Sequence, residues 1–387
     1  MDHPILQGLL RQPVLLVLLG AFCLLMALMI PAYFYAYRPK PNSTEWISRL
    51  DRPGFRPLTA SALSPADIVW TLIAMASAAF LWVVYYIIWM GLMKADNPTA
   101  MIRQLLKISV PVAITALSVY LILRLMGGKP LPAILASVIG AVSLFSQSKA
   151  MAMFSLSLLF LYLWVCAPYD APLFFNALWL GFCAAAYGVA LLYHFPLIWA
   201  APFYFGTYVT VQVLRWKHGN PDTRGKKLAG SVVLLFLLLL LGVVAVWLVY
   251  CVRRQKGNPI DLLRSFSFYK RLIPALLSRL STLMRRPSYW HTLVFSDSFC
   301  FIAGAIAMVP LLHGLFKLRD TRCLFLLLLL PFLFLAWLFS ACYALIPVLS
   351  LIIGWCWCSY AQRGRPLYAV GFAVTHILFL FAELYIH

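Results

Sequence analysis

The sequence predicts an all-α membrane protein, with about twelve transmembrane helices and one amphipathic helix lying in the outer interface. Three observations predict it. The 387 residues are 64% hydrophobic and 11% charged, whereas soluble domains carry roughly 25% charged residues. Mean hydropathy is +0.90. Apolar runs of about 17–25 residues, each able to cross a bilayer as a helix, follow one another between short polar links. Backbone groups in lipid must pair within their own segment, so every span is expected to be helical. Almost no chain is left for a soluble domain. A nucleic-acid partner is therefore not expected, in spite of a net charge of +20.

The first span, 14–36, is built on the apolar run Leu15 to Ile30. The bulky stretch Pro31 to Tyr37 follows and offers no small-residue cleavage site, so this helix is expected to be retained. The second span, 67–90, has a marked start. Ser64 can cap it, Pro65 suits the first helical position, and Asp67 suits the positive end of the helix dipole. Apolar runs then place spans at 109–126, 131–146, 151–168, 172–193, 197–214 and 229–252, and, after a polar interval, at 292–316, 323–340, 342–360 and 367–386. No internal repeat of the kind found in transporters is evident. The expected organisation is an extra N-terminal helix with a basic cytoplasmic loop (1–66), a transmembrane module (67–360) and a C-terminal helix (361–387).

Charge orients the spans. Alternation puts loop 37–66, Arg124, Lys129, link 215–227, link 317–322 and link 361–366 on one side, with 17 basic residues. The opposite side holds Arg11, Lys94, Arg103, Lys107 and Lys149, apart from one stretch. The richer side is expected to be cytoplasmic and both termini outside. The exception is the interval from Arg253 to His291. It carries Arg253, Arg254, Lys256, Arg264, Lys270, Arg271, Arg279, Arg285 and Arg286 against one acid, Asp261, on the side where such charge is disfavoured. Within it Leu262, Phe266, Tyr269, Ile273, Leu276, Leu280 and Leu283 recur every three or four residues, the pattern of one apolar helix face, which Pro274 should kink or divide. Such a segment lies in the interface with its charge toward headgroups. It serves either as an anchor to anionic lipid or as a grip on the phosphate of a lipid-linked substrate, a ligand that the planar donor fork of arginine suits.

The nine cysteines lie almost entirely in apolar runs and are expected to pack as small hydrophobes. Cys356 and Cys358 lack metal-ligand spacing, and no second pair accompanies them, so no metal site is expected there. His313 and His376 read as structural.

Between Tyr85 and Ser359 the order of features resembles the GT-C superfamily of integral-membrane glycosyltransferases, of the dolichyl-phosphate-mannose mannosyltransferase and aminoarabinose transferase type. Four segments carry the resemblance: Tyr85 to Leu105, similar to the family's outer juxtamembrane stretch; Leu180 to Leu197, similar to its Leu-Thr-Lys-Gly-Pro hairpin; Arg286 to Trp290, similar to its Arg-Pro lead into a late helix; and Trp337 to Gly354, similar to its late Tyr- and Pro-containing hairpin. The resemblance implies a GT-C-like fold and transfer of a sugar from a polyprenyl-phosphate carrier on the outer face of a bacterial plasma membrane. It implies a carboxylate to take the acceptor's proton and basic groups to stabilise the departing lipid phosphate. A divalent cation is allowed but not required.

Mapped onto this chain, the candidate catalytic acids are Asp96 and Asp297, and the donor-phosphate candidates are Lys149, Arg254, Arg264, Lys270, Arg271, Arg279, Arg285 and Arg286. His194, His291 and Tyr343 are further outer-face candidates. Were the first helix to enter from the cytoplasm, Glu45 or Asp51 would supply the acid instead.

The chain departs from the family pattern at several points. Stretch 84–108 has Asp96 alone, the outer turn Phe145 to Met153 has no acid, and His194 stands where the family hairpin has lysine. Two other readings are therefore carried forward. One is a catalytically inactive GT-C-like protein that binds lipid or serves as scaffold to partner membrane subunits. The other is a transporter of a lipid-linked substrate. All three share membrane lipids and a lipid phosphate as partners.

Overall fold

The computed structural model describes residues 61–92, 98–142, 149–167, 173–218, 298–316, 321–338 and 345–362, with the single positions 230, 274 and 278. Among these the protein is all-helical, without a strand. We number the helices α1 (Ala66–Leu92), α2 (Pro98–Leu125), α3 (Pro130–Ala141), α4 (Lys149–Val165), α5 (Leu173–Tyr193), α6 (Ala201–His218), α7 (Ser298–Phe316), α8 (Thr321–Leu338) and α9 (Leu345–Gln362), with a 3₁₀ helix at Phe195–Ala200 before α6.

Each falls on an expected apolar run, and two boundaries differ for physical reasons. Helix α2 starts at Pro98 rather than near 109, because proline suits a helix's first turn and Arg103 and Lys107 extend the helix without extending its apolar part. The run expected from 197 opens as the 3₁₀ turn, because Pro196 has no N–H and keeps His194 and Phe195 from continuing α5. The expected spans 14–36, 229–252 and 367–386 lie outside the described residues. Within the basic interval Pro274 and Ser278 are helical and exposed, and the rest of it is likewise outside.

One helix among the described residues, Ala66–Ile88, is long and apolar enough to cross a membrane, at 23 residues and mean hydropathy 2.0. The other apolar stretches are shorter, at 10–17 residues. The outward face of α1 is apolar: Ile68 is 68% exposed, Leu72 59% and Phe80 66%, while Ala74, Ala78, Trp82 and Tyr85 turn inward.

The helices form two compact units. The first holds α1, α2, α3, α7, the start of α8 and α9. Its core is close-packed around Trp82, Tyr120, Ile122 and Leu123, all essentially without exposure. Glycines let its helices approach. A Cβ on Gly354 would lie 2.7 Å from Ala136 Cβ, and one on Gly304 would lie 2.7 Å from Leu349 Cδ2. Buried hydroxyls stay inside their own helices. Thr115, Ser118 and Ser350 donate to the carbonyls of Pro111, Ile114 and Ile346 at 2.8–2.9 Å, which removes the cost of an unpaired polar group in an apolar core.

Several chain ends meet at one end of this unit. Ser61 N donates to Leu125 O at 2.8 Å, and Arg322 Nη1 donates to Met126 O at 2.6 Å. Gly127 has φ +85°, the left-handed turn that closes α2, and Gly128 packs against Cys358 near the end of α9. Asp67 ties this end together. Its carboxylate accepts from Arg124 Nε at 2.6 Å and Nη2 at 3.0 Å, from Tyr120 Oη at 3.1 Å, and from the N–H and hydroxyl of Ser64 at 2.8 and 2.9 Å. Arg124 Nη1 also donates to Gly128 O.

The bond from Ser64 N–H is half of a capping box, so Asp67 fills its expected helix-start role. Its fork-to-fork pairing with Arg124 was not foreseen. The Asp67 side chain is 3% exposed and that of Arg124 18%, so truncation leaves a largely buried charge unpaired. Asp67→Ala should lower unfolding stability by about 2–3 kcal/mol. Thermal unfolding of the purified chain in detergent would measure this, and the double variant with Arg124→Ala should lose less than the sum of the two single losses.

The second unit holds α4, α5, the 3₁₀ helix, α6 and the rest of α8. A short link returns α5 along α4, and aromatic pairs fill the contacts: Phe160 stacks on Trp179 at 6.0 Å, Trp164 on Tyr208 at 5.5 Å and Tyr187 on Tyr204 at 4.4 Å. Such offset pairs add to simple area burial.

Candidate functional site

The break between α5 and α6 builds the site. Pro196 interrupts the helical ladder, and the carbonyls around the break need new donors. Leu197 N bonds back to His194 O at 3.2 Å, and Tyr187 Oη donates to Leu197 O at 2.6 Å. Tyr187 is held in turn by its stack on Tyr204, whose hydroxyl lies 2.5 Å from Ser157 Oγ on α4. The hydroxyl relay Ser157–Tyr204 and the Tyr187–Leu197 bond thus fix the turn that carries His194.

Helix α4 begins at Lys149, at the same end of the unit. The Lys149 ammonium sits over the ring of Tyr193, the last residue of α5, 5.6 Å from its centroid. Lys149 is exposed and Tyr193 is 50% exposed, so the cation is braced from one side and open on the other. His194 follows at once, half-buried, its N–H bonded to Ala190 O at 2.9 Å. A cation braced at a helix junction and open on one side suits an anionic group such as phosphate, while the Nε2 of the neighbouring His194 is buried.

Of the residues singled out in the sequence, Lys149 is brought against Tyr193, which precedes His194 in the chain. Lys149 and Tyr193 are 44 positions apart, one in the stretch compared with an outer turn of the glycosyltransferase family and the other in the stretch compared with its hairpin. Asp96, Asp297, Arg254, Arg264, Lys270, Arg271, Arg279, Arg285, Arg286, His291 and Tyr343 lie outside the described residues. Tyr193, Tyr187, Tyr204 and Ser157 were missed. The available signal was the run Tyr193-His194-Phe195-Pro196, in which a proline two residues after a histidine marks a break with polar groups to satisfy.

Asp67 is the one carboxylate among the described residues, and its oxygens are taken up by Arg124, Tyr120 and Ser64. No group of three or more His, Cys, Asp or Glu able to hold a metal ion occurs among the described residues. Cys183, Cys323, Cys356 and Cys358 are buried free thiols that pack as small apolar groups. Comparison with family models, with curated proteins and with solved structures finds no match for this chain.

Proposed function

We propose that the chain is a multi-pass protein of a bacterial plasma membrane, of the GT-C glycosyltransferase type, that takes a sugar from a polyprenyl-phosphate carrier at the outer face. In this reading about twelve helices span the bilayer, both termini face out, and the basic interval 253–291 lies in the outer interface. The apolar outward face of α1 supports the membrane setting, since so much exposed hydrocarbon on one helix suits lipid rather than water.

The observation that carries the proposal is the Lys149 ammonium braced over the ring of Tyr193 and open on its other side. Lys149 holds a phosphate oxygen of the donor. The arginines of the interval, above all Arg285 and Arg286, share the charge that develops on the departing lipid phosphate. Asp96 takes the acceptor's proton. A second reading, a catalytically inactive lipid-binding or scaffold subunit, draws on the shortage of acid. The turn leading into Lys149 has no carboxylate in sequence, and Asp67 is committed to Arg124.

The test is incubation of membranes containing the full chain with a polyprenyl-phosphate sugar carrying a labelled sugar. Loss of label from the carrier is expected. Donor binding without turnover would select the second reading, and the absence of both would remove either. The double reversal Arg285→Glu with Arg286→Glu should weaken donor binding roughly tenfold or more, at ~1 kcal/mol for each basic side chain near a charged lipid surface. Unchanged binding would leave the basic interval as a membrane anchor.

A further inference from the structure

Buried serines in this chain bond one turn back in their own helix: Ser155 Oγ donates to Met151 O at 2.8 Å and Ser350 Oγ to Ile346 O at 2.9 Å. Two tyrosines of the second unit reach further. Tyr187 Oη donates to Leu197 O at 2.6 Å, ten residues on and across the break at Pro196. Tyr204 Oη lies 2.5 Å from Ser157 Oγ and joins α6 to α4. Ser157 directs its own proton to Phe154 O at 2.7 Å, so it accepts from Tyr204. The Tyr187 and Tyr204 rings stack with centroids 4.4 Å apart. One path of contacts thus runs from α4 through Tyr204 and Tyr187 to the turn Phe195–Ala200.

Both ends of the path hold a partner of the Lys149–Tyr193 pair. Ser157 stands about two turns along α4 from Lys149. Leu197 is tied back toward Tyr193, since its N–H bonds to His194 O at 3.2 Å and His194 N–H bonds to Ala190 O at 2.9 Å. Leu197 has no exposure, so water cannot stand in for the Tyr187 hydroxyl at its carbonyl. A ring that only filled the space beside Tyr204 would stack as well without that hydroxyl.

The distance at the pair makes such a tie matter. Lys149 Nζ is 5.6 Å from the Tyr193 centroid. A ring draws a cation within about 6 Å, so a slip of the turn by roughly 1 Å would release the ammonium.

We infer that Tyr187 is a positioning residue for the phosphate grip. Its bond to Leu197 O fixes the turn that keeps the Tyr193 ring beneath Lys149, and Tyr204 with Ser157 holds Tyr187 to the helix that carries the lysine. The inference rests on the reading of Lys149 as the donor-phosphate contact. Tyr187 acts through Tyr193 and Lys149 and takes no part in the chemistry.

The test titrates a sugar-free polyprenyl phosphate into the full chain in detergent. Tyr187→Phe keeps the ring and removes only the hydroxyl. It should weaken binding about two- to tenfold, the effect of one hydrogen bond. In a Lys149→Met background it should cause no further loss. Hydrogen exchange at Phe195–Ala200, which needs no ligand, should quicken in Tyr187→Phe. Ser155→Ala, which removes a buried hydroxyl bond internal to α4, should leave both affinity and that exchange unchanged.

Wild-type affinity in Tyr187→Phe, the same loss with and without Lys149, or unchanged exchange at Phe195–Ala200 would each overturn the inference and leave the donor reading standing. A comparable loss of affinity in Ser155→Ala would also overturn it, by reducing Tyr187 to one more core hydroxyl. A wild-type chain that does not bind the polyprenyl phosphate, or a Lys149→Met variant that binds it as well as wild type, fails the donor reading itself and this inference with it.

Discussion

Asp96→Asn is expected to abolish sugar transfer, with a loss of about 10²–10⁴-fold, while the protein still folds and binds donor. The magnitude is that of removing a general base from a transfer reaction. Asparagine keeps the size and the turn chemistry of the Asp96-Asn97-Pro98 sequence, so the start of α2 at Pro98 should survive. In stretch 84–108 no other residue can accept a proton as a carboxylate does. The expected pattern is an unchanged donor affinity with a collapsed turnover, because Asp96 is assigned to the acceptor and the phosphate grips lie elsewhere. Equal loss of binding and turnover would point to a structural Asp96. Full activity in Asp96→Asn would pass the role to Asp297, which the corresponding Asn variant would test. An inactive wild-type chain that still binds donor would favour the scaffold reading outright.

Helices were legible in the sequence because apolar runs and proline positions report them directly. Ser64, Pro65 and Asp67 mark the start of span 67–90, and α1 runs Ala66–Leu92. The expected 172–193 became Leu173–Tyr193. Pairings between helices were not legible. Asp67 and Arg124 are 57 residues apart, and each had a sufficient local explanation, one as a helix-start acid and the other as a basic residue at a helix end. A one-dimensional pattern cannot show that two such ends touch.

The same limit applied at the candidate site. Lys149 stands out in the sequence for its place in a turn, yet what it meets is Tyr193, an aromatic residue that reads in sequence as helix filler. Charge alternation groups chain ends rather than single contacts. It put Arg124, Lys129 and Arg322 on one side, and the hydrogen bonds of the first unit bring the turn 126–129 and Arg322 together.

Glycines provide the other strong prediction, because their sequence context does not reveal which are needed. A glycine inside a helix is worse than alanine by about 1 kcal/mol, so substitution should stabilise wherever space allows. Space is absent at Gly140. A Cβ there falls within contact of Ser350 Oγ and only 2.5 Å from Ser350 Cβ. Ser350 has no exposure, and its hydroxyl is bonded to Ile346 O at 2.9 Å, so it can yield only by giving up that bond or by moving α9. At Gly354 an added Cβ would meet both Leu123 Cδ1, the end of a side chain, and Ala136 Cβ at 2.7 Å, and the latter has no rotamer to change. Overpacking of this kind costs about 1–3 kcal/mol beyond any helix-propensity gain.

Gly140→Ala and Gly354→Ala should therefore each lower stability by about 2 kcal/mol, and Gly140→Val by about 3 kcal/mol or more. Around Gly181 and Gly188 in α5, nothing lies within 4 Å of an added Cβ, so the same change there should raise stability by up to ~1 kcal/mol. Unfolding of the four alanine variants in one detergent would give the contrast directly. Opposite signs for the two pairs would locate the close helix contacts in the first unit, and Ser350→Gly should restore part of what Gly140→Ala loses. Shifts of one sign at all four positions would mean that α3 and α9 do not approach as closely as Gly140 and Ser350 place them.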